Sequence, residues 1–433
     1  MSNSVKSTFR ALSGFNYRVW AAGALVSNIG TWMQRTAQDW IVLTVLTHNN
    51  ATAVGIVTAL QFGPMLLLLP LTGVAADYFD RRKLIMMTQA AMGALALALG
   101  LLMIAGLIQL WHVYVFAFLL GCVTAFDTPA RQTFVSELVG EDDLANAVAL
   151  NSTSFNAARL VGPAIAGLMI AALGSGWVFV INGASFIAVI FSLTFLRVHE
   201  LHRETRSSAG RSGLAEGFRY VSRRPDLIVI LIMFFLIGTF GINFPIFIPT
   251  MSVTVFHLGA GQYGLLTSLI AIGTVGGALA AARESKPGVG LLSLTTALFG
   301  LGCVLAAVMP NYWLFGLVLI FIGASGQIFS TSTLSLVQLS TEPHMRGRVM
   351  AILLAIALGG TPLGAPIVGW IADRFGPRMA MGAGGASAII AAMVGLYYLA
   401  RWHHWRLRFT GGHFHVSRDE AAPLVEPRAT AAE

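Results

Sequence analysis

Apolar residues fall along this chain in long unbroken stretches, with no alternation of apolar and polar positions. Segments such as "LLLLPLTGVAA" and "IVILIMFFLIG" are too long and too uniform for the half-buried strands of a soluble sheet. Runs of spanning length are predicted near residues 17–46, 52–76, 83–108, 112–134, 144–173, 176–196, 226–256, 260–282, 288–309, 312–340, 348–372 and 379–400, twelve in all. A helix needs about 20 apolar residues to cross a bilayer. In lipid the backbone must satisfy its own hydrogen bonds, which leaves helices or a closed barrel, and a barrel would show the missing alternation. The pattern therefore predicts an all-α membrane protein of twelve transmembrane helices.

Composition sharpens this reading. Of 433 residues 56% are hydrophobic and only 11% are charged, against roughly 25% charged in soluble domains. Cys122 and Cys303 both lie in apolar runs and read as small core residues. The N-terminal "MSNSVKSTFRALSG" is basic and shows no cleavage site, so no signal peptide is expected. A formal net charge of +8 could suggest nucleic acid, but the positive residues alternate with the apolar runs and are better explained as a topology signal. Arg and Lys gather at Lys6, Arg10 and Arg18, at Arg81, Arg82 and Lys83, at Arg131, at Arg283 and Lys286, and at Arg346 and Arg348. They also fill the segment 197–225 and the tail after residue 400, whereas "THNNA", "LIQLWH", "LGSGW", "FHLGAGQ" and "MPNYW" carry no charge. Basic loops face the cytoplasm, which places both termini inside. The expected organisation is a cytoplasmic N-terminus (1–16), a six-helix bundle (17–196), a basic linker with an amphipathic helix (197–225), a second bundle (226–400) and a cytoplasmic tail (401–433). Proteins anchored this way in bacteria occupy the cytoplasmic membrane, and no oligomer signal is evident, so a monomer is expected.

The chain repeats itself in two ways. At an offset of about 200 residues, "SELVGEDDLANAVAL" answers "VQLSTEPHMRGRVMAIL", "RLVGPAIAG" answers "TPLGAPIVG", and "GVAAD" answers "GALAA". Two pseudo-symmetric six-helix bundles of parallel repeats follow from this. Separately, "GVAADYFDRRK" (73–83) closely matches "GWIADRFGPRM" (369–379). The topology puts these two phrases on opposite faces, so they are not expected to be equivalent copies. The second reads as a local stop-and-turn signal, with Asp373 and Arg374 capping or pairing nearby.

The loop Gly73, Asp77, Arg81, Arg82, Lys83 after the second run resembles the signature of the major facilitator superfamily, departing from it at Asp80, where glycine is usual. "NIGTWMQRTAQDW", "FDTPARQTFVSELV" and "NSTSFNAARLVGPAIAG" are similar to the enterobactin-exporter-like branch, also called transmembrane secretion effectors. The resemblance covers essentially the whole chain and implies export of small molecules. It also implies a cytoplasmic gate in which Asp77 meets the start of the eleventh helix and an Arg on the fourth, here Arg131. On physical grounds Asp77 closes the second helix, where the helix dipole disfavours a carboxylate, so it needs a cation or a helix N-terminus. Gly73 permits close packing, and Arg81, Arg82 and Lys83 would anchor the loop at anionic head groups.

Ionisable residues at membrane depth are functional candidates by default. Arg35 and Asp39 share a helix face with Asn28, Thr31 and Gln38, a polar stripe suited to the wall of a cavity. Asp127 and Arg131 repeat the one-turn spacing on the fourth run, and Arg159 lies mid-helix on the fifth among Asn151, Ser152 and Asn156. Arg159 keeps its charge and must meet Asp39, Asp127 or the substrate. Asn243 and Gln327 are further candidate cavity donors, and the seventh run offers Phe234, Phe235, Phe240, Phe244 and Phe247 broken by Pro245 and Pro249. A cavity basic on one side and aromatic on the other suits amphiphilic, aromatic or weakly anionic cargo.

No phosphate-binding loop is present, so a carboxylate that loads and releases protons is the expected energy coupling, with Asp39 first and Asp127 second. The tail histidines His403, His404, His413 and His415 lack ligand spacing and read as part of a solvated tail rather than a metal site. No cofactor and no nucleic-acid partner is expected; the partners are a small-molecule substrate, protons and the lipid bilayer. No nucleophile–base or metal constellation suggests an enzyme. The leading expectation is a proton-coupled exporter. Its alternatives are an importer of a polar or anionic nutrient and a non-transporting membrane sensor.

Overall fold

The computed structural model describes residues 9–68, 71–72, 79–202, 214–284, 287–402, 405–410 and 413–418. The first six membrane helices are α1 (Phe15–Ile41), α2 (Ala51–Leu67), α3 (Arg81–Ile104), α4 (Leu110–Leu138), α5 (Glu141–Leu173) and α6 (Ser175–Thr194). The last six are α7 (Pro225–Val255), α8 (Ala260–Ala281), α9 (Val289–Val308), α10 (Tyr312–Ser340), α11 (Arg346–Phe375) and α12 (Pro377–Trp402). Ten of these are long and apolar enough to cross a membrane. Helix α2 is a shorter apolar helix over its described length. Helix α1 spans 27 residues, but its polar stripe makes it less apolar than the ten.

Local chemistry sets the ends. Asn50 and Asn311 accept hydrogen bonds from Ala53 N and Leu314 N, capping α2 and α10. Helix α5 starts at Glu141, earlier than the apolar run suggests, because Glu141, Asp142 and Asp143 suit the positive end of a helix dipole. Helix α7 is the least regular. It passes through π-turns at Ile237–Gly241 and Met251–Val255, with Phe244–Thr250 between them. Pro245 and Pro249 lack the N–H that a continuous α-helix would use there.

The helices pack in two similar sets. Within the first, α3 lies along α4 and α6, and α2 along α4; within the second, α9 lies along α10 and α12, and α8 along α10. Two extensive contacts join the sets, α2 with α11 and α5 with α8, and a six-helix shift exchanges these two pairs; α7 adds smaller contacts with α1 and α2. The short helix Leu214–Ser222 docks on α11 through Glu216, whose Oε2 lies 3.1 Å from Arg348 Nη1. Beyond α12 the chain forms strands β1 (Trp405–Thr410) and β2 (His413–Arg418), an antiparallel pair in which Thr410 faces His413. The sequence suggested only a solvated tail here. His403 and His404 lie outside the described residues.

We call the end holding Arg81, Arg131 and Arg346 the basic end, and the end holding Asn50, Gly174 and Gly376 the far end.

Candidate functional site

The two sets of helices touch at the far end through residues without side chains. A Cβ on Gly55 would run into the Ala365 carbonyl, and one on Gly369 into Ala51. The same holds for Gly167 against Ala260 and Gly264 against Pro163. Small residues let membrane helices approach this closely. A polar clasp sits beside the α2–α11 seam. Asp373, at the end of α11, accepts from Ala51 N (2.7 Å), Thr52 N (2.8 Å) and the Thr52 hydroxyl (2.5 Å). It thereby caps the N-terminus of α2, where unpaired N–H groups and the helix dipole both favour a carboxylate. The expectation of a purely local role for Asp373 is corrected: its partners are more than 300 residues away in sequence.

Below this closure two cavities follow one another toward the basic end. The deeper one has a volume of about 240 Å³ and lies between the sets. Helices α1, α2 and α5 supply Trp32, Arg35, Asp39, Gln61, Phe62 and Arg159. Helices α7, α8 and α11 supply Ile242, Phe244, Pro245, Ile248, Tyr263, Thr267 and Thr361. Tyr263 faces Asp39 across this cavity, and its ring stacks on Trp40 at 5.7 Å. Asp39 thus meets the second set of helices at the seam. The Arg35 guanidinium lies 5.1 Å from the Trp32 ring centroid and 5.6 Å from that of Phe62. Arg159 lies 5.5 Å from the same Trp32 centroid. Gly162, one turn beyond Arg159, allows this, because a Cβ there would meet Trp32 Cβ.

The wider cavity, about 400 Å³, lies nearer the basic end and is lined by Asn28, Arg35, Asp127, Arg131, Asn151 and Asn156 among others. Here Asp127 is buried and fully engaged. Its Oδ1 accepts from the Thr88 hydroxyl (2.6 Å) and from Gln89 Nε2 (2.9 Å), while Arg131 stands 3.9 Å from Oδ2. Arg131 also donates to Asn28 Oδ1 (3.2 Å) and lies over Trp20 at 5.4 Å. Gln38 reaches Gln61 at 3.4 Å on the wall of an adjoining smaller cavity. Asn156 donates to the Ser152 carbonyl at 2.9 Å.

Two sequence candidates stand apart from both cavities. Asn243 is buried in the break of α7, where its amide donates to the Thr239 carbonyl (2.7 Å). Gln327 donates to the Thr331 hydroxyl on its own helix (3.0 Å). Of the α7 phenylalanines Phe244 lines the deeper cavity; Phe247 is buried and Phe235 is exposed. Sequence reasoning missed Tyr263, Trp32 and Phe62. A tyrosine with Thr267 one turn later in an otherwise apolar helix was the available signal for the first.

At the basic end Gly73 and Asp77 lie outside the described residues. Arg81 pairs with Glu137 (2.8 Å), and Arg82 donates from Nε to the Leu193 carbonyl (2.8 Å) at the end of α6. These two side chains are engaged within the protein, where the sequence suggested head-group anchors. Asp80 caps α3 by accepting from Lys83 N (3.1 Å) with φ −63°. Its departure from glycine is therefore compatible with the turn, since no left-handed conformation is required.

Comparison with known proteins agrees with this architecture. The chain is 27% identical to the staphyloferrin A transporter of Staphylococcus aureus, over 86% of this chain and 93% of that protein. It is 27% identical to the multidrug efflux pump Tap of Mycolicibacterium fortuitum (82% and 88% covered) and 25% identical to the enterobactin exporter of Escherichia coli K12 (84% and 88% covered). Among solved structures, a bacterial homolog of the human lysosomal transporter Spinster, inward-facing and unoccupied, superposes with a TM-score of 0.71 at 16% identity, covering 88% of this chain and 96% of that one. The description of transmembrane secretion effectors matches residues 6–409. The chain therefore belongs to the transmembrane secretion effector family of the major facilitator superfamily and is a multi-pass membrane transporter, not an enzyme.

Proposed function

We propose that this protein exports small amphiphilic or aromatic molecules, siderophore- or drug-like, by proton antiport with alternating access. The observation that carries the reading is the position of Asp39: a carboxylate in a cavity between two helix sets, facing Tyr263 of the opposite set. A proton on Asp39 changes the charge facing both Arg35 and Tyr263, so proton binding and the relation of the two sets are coupled. Asp127 is the weaker coupling residue, because Thr88, Gln89 and Arg131 already occupy its oxygens. The far-end clasp at Asp373 and the cavities widening toward the basic end support a cycle of alternate openings. The basic end faces the cytoplasm of a bacterium, with both termini inside, and the working unit is a monomer. At that end Asp77, Gly73 and Arg131 form the gate that closes when the far end opens.

The test is transport into inside-out vesicles under an imposed pH gradient, with catechols and hydrophobic drugs as candidate cargo. Uptake abolished by an uncoupler, and reduced at least tenfold in Asp39→Asn while Asp127→Asn retains most of it, is the expected result. Full gradient-driven uptake by Asp39→Asn would overturn the coupling assignment.

A further inference from the structure

We infer that the deeper cavity selects an aromatic anion, whose negative group is held by Arg35 and Arg159 with its ring against Trp32. The inference deepens the transport reading above and rests on it for the direction of movement alone.

The argument is a count of charges. Among the described residues neither Arg35 nor Arg159 forms an ion pair or donates a side-chain hydrogen bond, and Arg35 Nε is buried without a partner. The two carboxylates within reach are spoken for. Asp127 is held by Thr88, Gln89 and Arg131. Asp39 lies one turn from Arg35, whose charge it offsets, and faces Tyr263. Two guanidinium groups therefore face one carboxylate. An arginine at membrane depth keeps its charge and is held there by an anion or a cavity that admits one. The planar guanidinium fork matches a carboxylate or a phenolate-type oxygen pair.

The aromatic requirement comes from what surrounds the two cations. Both guanidinium carbons lie within 5.5 Å of the Trp32 centroid. Phe62 and Phe244 add two further rings to the wall. The cavity volume of about 240 Å³ suits one substituted ring or the leading ring of a longer molecule. Gly162 is part of the device, since only a residue without a side chain lets α5 bring Arg159 to Trp32.

The probes are salicylate and its neutral isostere salicylamide, titrated calorimetrically into the purified protein in lipid nanodiscs. Salicylate is expected to bind at least tenfold more tightly than salicylamide. Arg159→Gln should erase that preference, and Arg159→Lys should keep part of it. Retained salicylamide binding and an unchanged melting temperature establish that the Gln variant is folded. Equal binding of the two probes, binding of neither, or a preference that survives in Arg159→Gln overturns the inference. The assay involves no gradient. Selective binding without gradient-driven uptake would leave the anion site standing and remove the antiport reading, and uptake of neutral cargo alone would do the reverse.

Discussion

The described part of the first phrase, residues 79–83, and the second phrase, residues 369–379, lie at opposite ends of the molecule and yet share one contact. Arg82 donates to the Leu193 carbonyl at the end of α6, and its counterpart Arg378 donates to Ala307 O (2.6 Å) and Met309 O (3.0 Å) at the end of α9. Asp80 opens α3 as its cap, while the corresponding Gly376, before α12, adopts φ +92° and needs glycine for that reason. Asp373 seats itself on the N-terminus of α2. The expectation that phrases on opposite faces cannot be equivalent is thereby corrected. The parallel repeat equates α2 with α8, but the phrases equate α2 with α11, α3 with α12 and α6 with α9. That is an inversion, of the kind nested within this transporter architecture.

Four substitutions would break or sharpen this pairing. Gly264→Leu has the largest expected effect, because its side chain would enter the Pro163 carbonyl and prevent the far end from closing. Spin labels at Leu107 and Val308 should report a lengthened distance in nearly all molecules, and transport should fall by more than tenfold. Asp373→Ala comes second. Removing the α2 cap costs roughly 1–2 kcal/mol of the closed arrangement, a population shift of about 5- to 30-fold toward the long distance. An unaltered distance distribution would show that glycine packing alone holds the seam. Arg82→Ala and Arg378→Ala have the smallest effect. Each should lower the melting temperature by a similar few degrees, with loss of about 1 kcal/mol of helix-end interaction, and leave the distance unchanged. Unequal losses would argue against equivalence of the two phrases.

Much of the architecture was legible because apolar run length and basic-loop placement are local properties. The cavity wall on α1 was legible for the same reason: Asn28, Arg35, Gln38 and Asp39 share one face by periodicity alone. Periodicity names a face but not the helix opposite. Hence Tyr263 opposite Asp39 was invisible, and so was Thr52 opposite Asp373. The same limit explains Asn243 and Gln327. Both are polar residues in apolar helices, but one satisfies the backbone at a break in α7 and the other a hydroxyl on its own helix. Arg159 stands between these cases, since its need for an anion followed from chemistry, while only the packing of Gly162 against α1 shows where it goes.

All five ionisable groups lining these cavities, Arg35, Asp39, Asp127, Arg131 and Arg159, belong to the first six helices. The last six contribute only neutral surface to it: rings, methyls and hydroxyls from Ile242, Phe244, Tyr263, Thr267 and Thr361. If the two bodies rock apart as proposed, no salt bridge between them among the described residues has to be torn at this cavity, and the charge felt by a bound molecule would stay with one body while the opening changes sides.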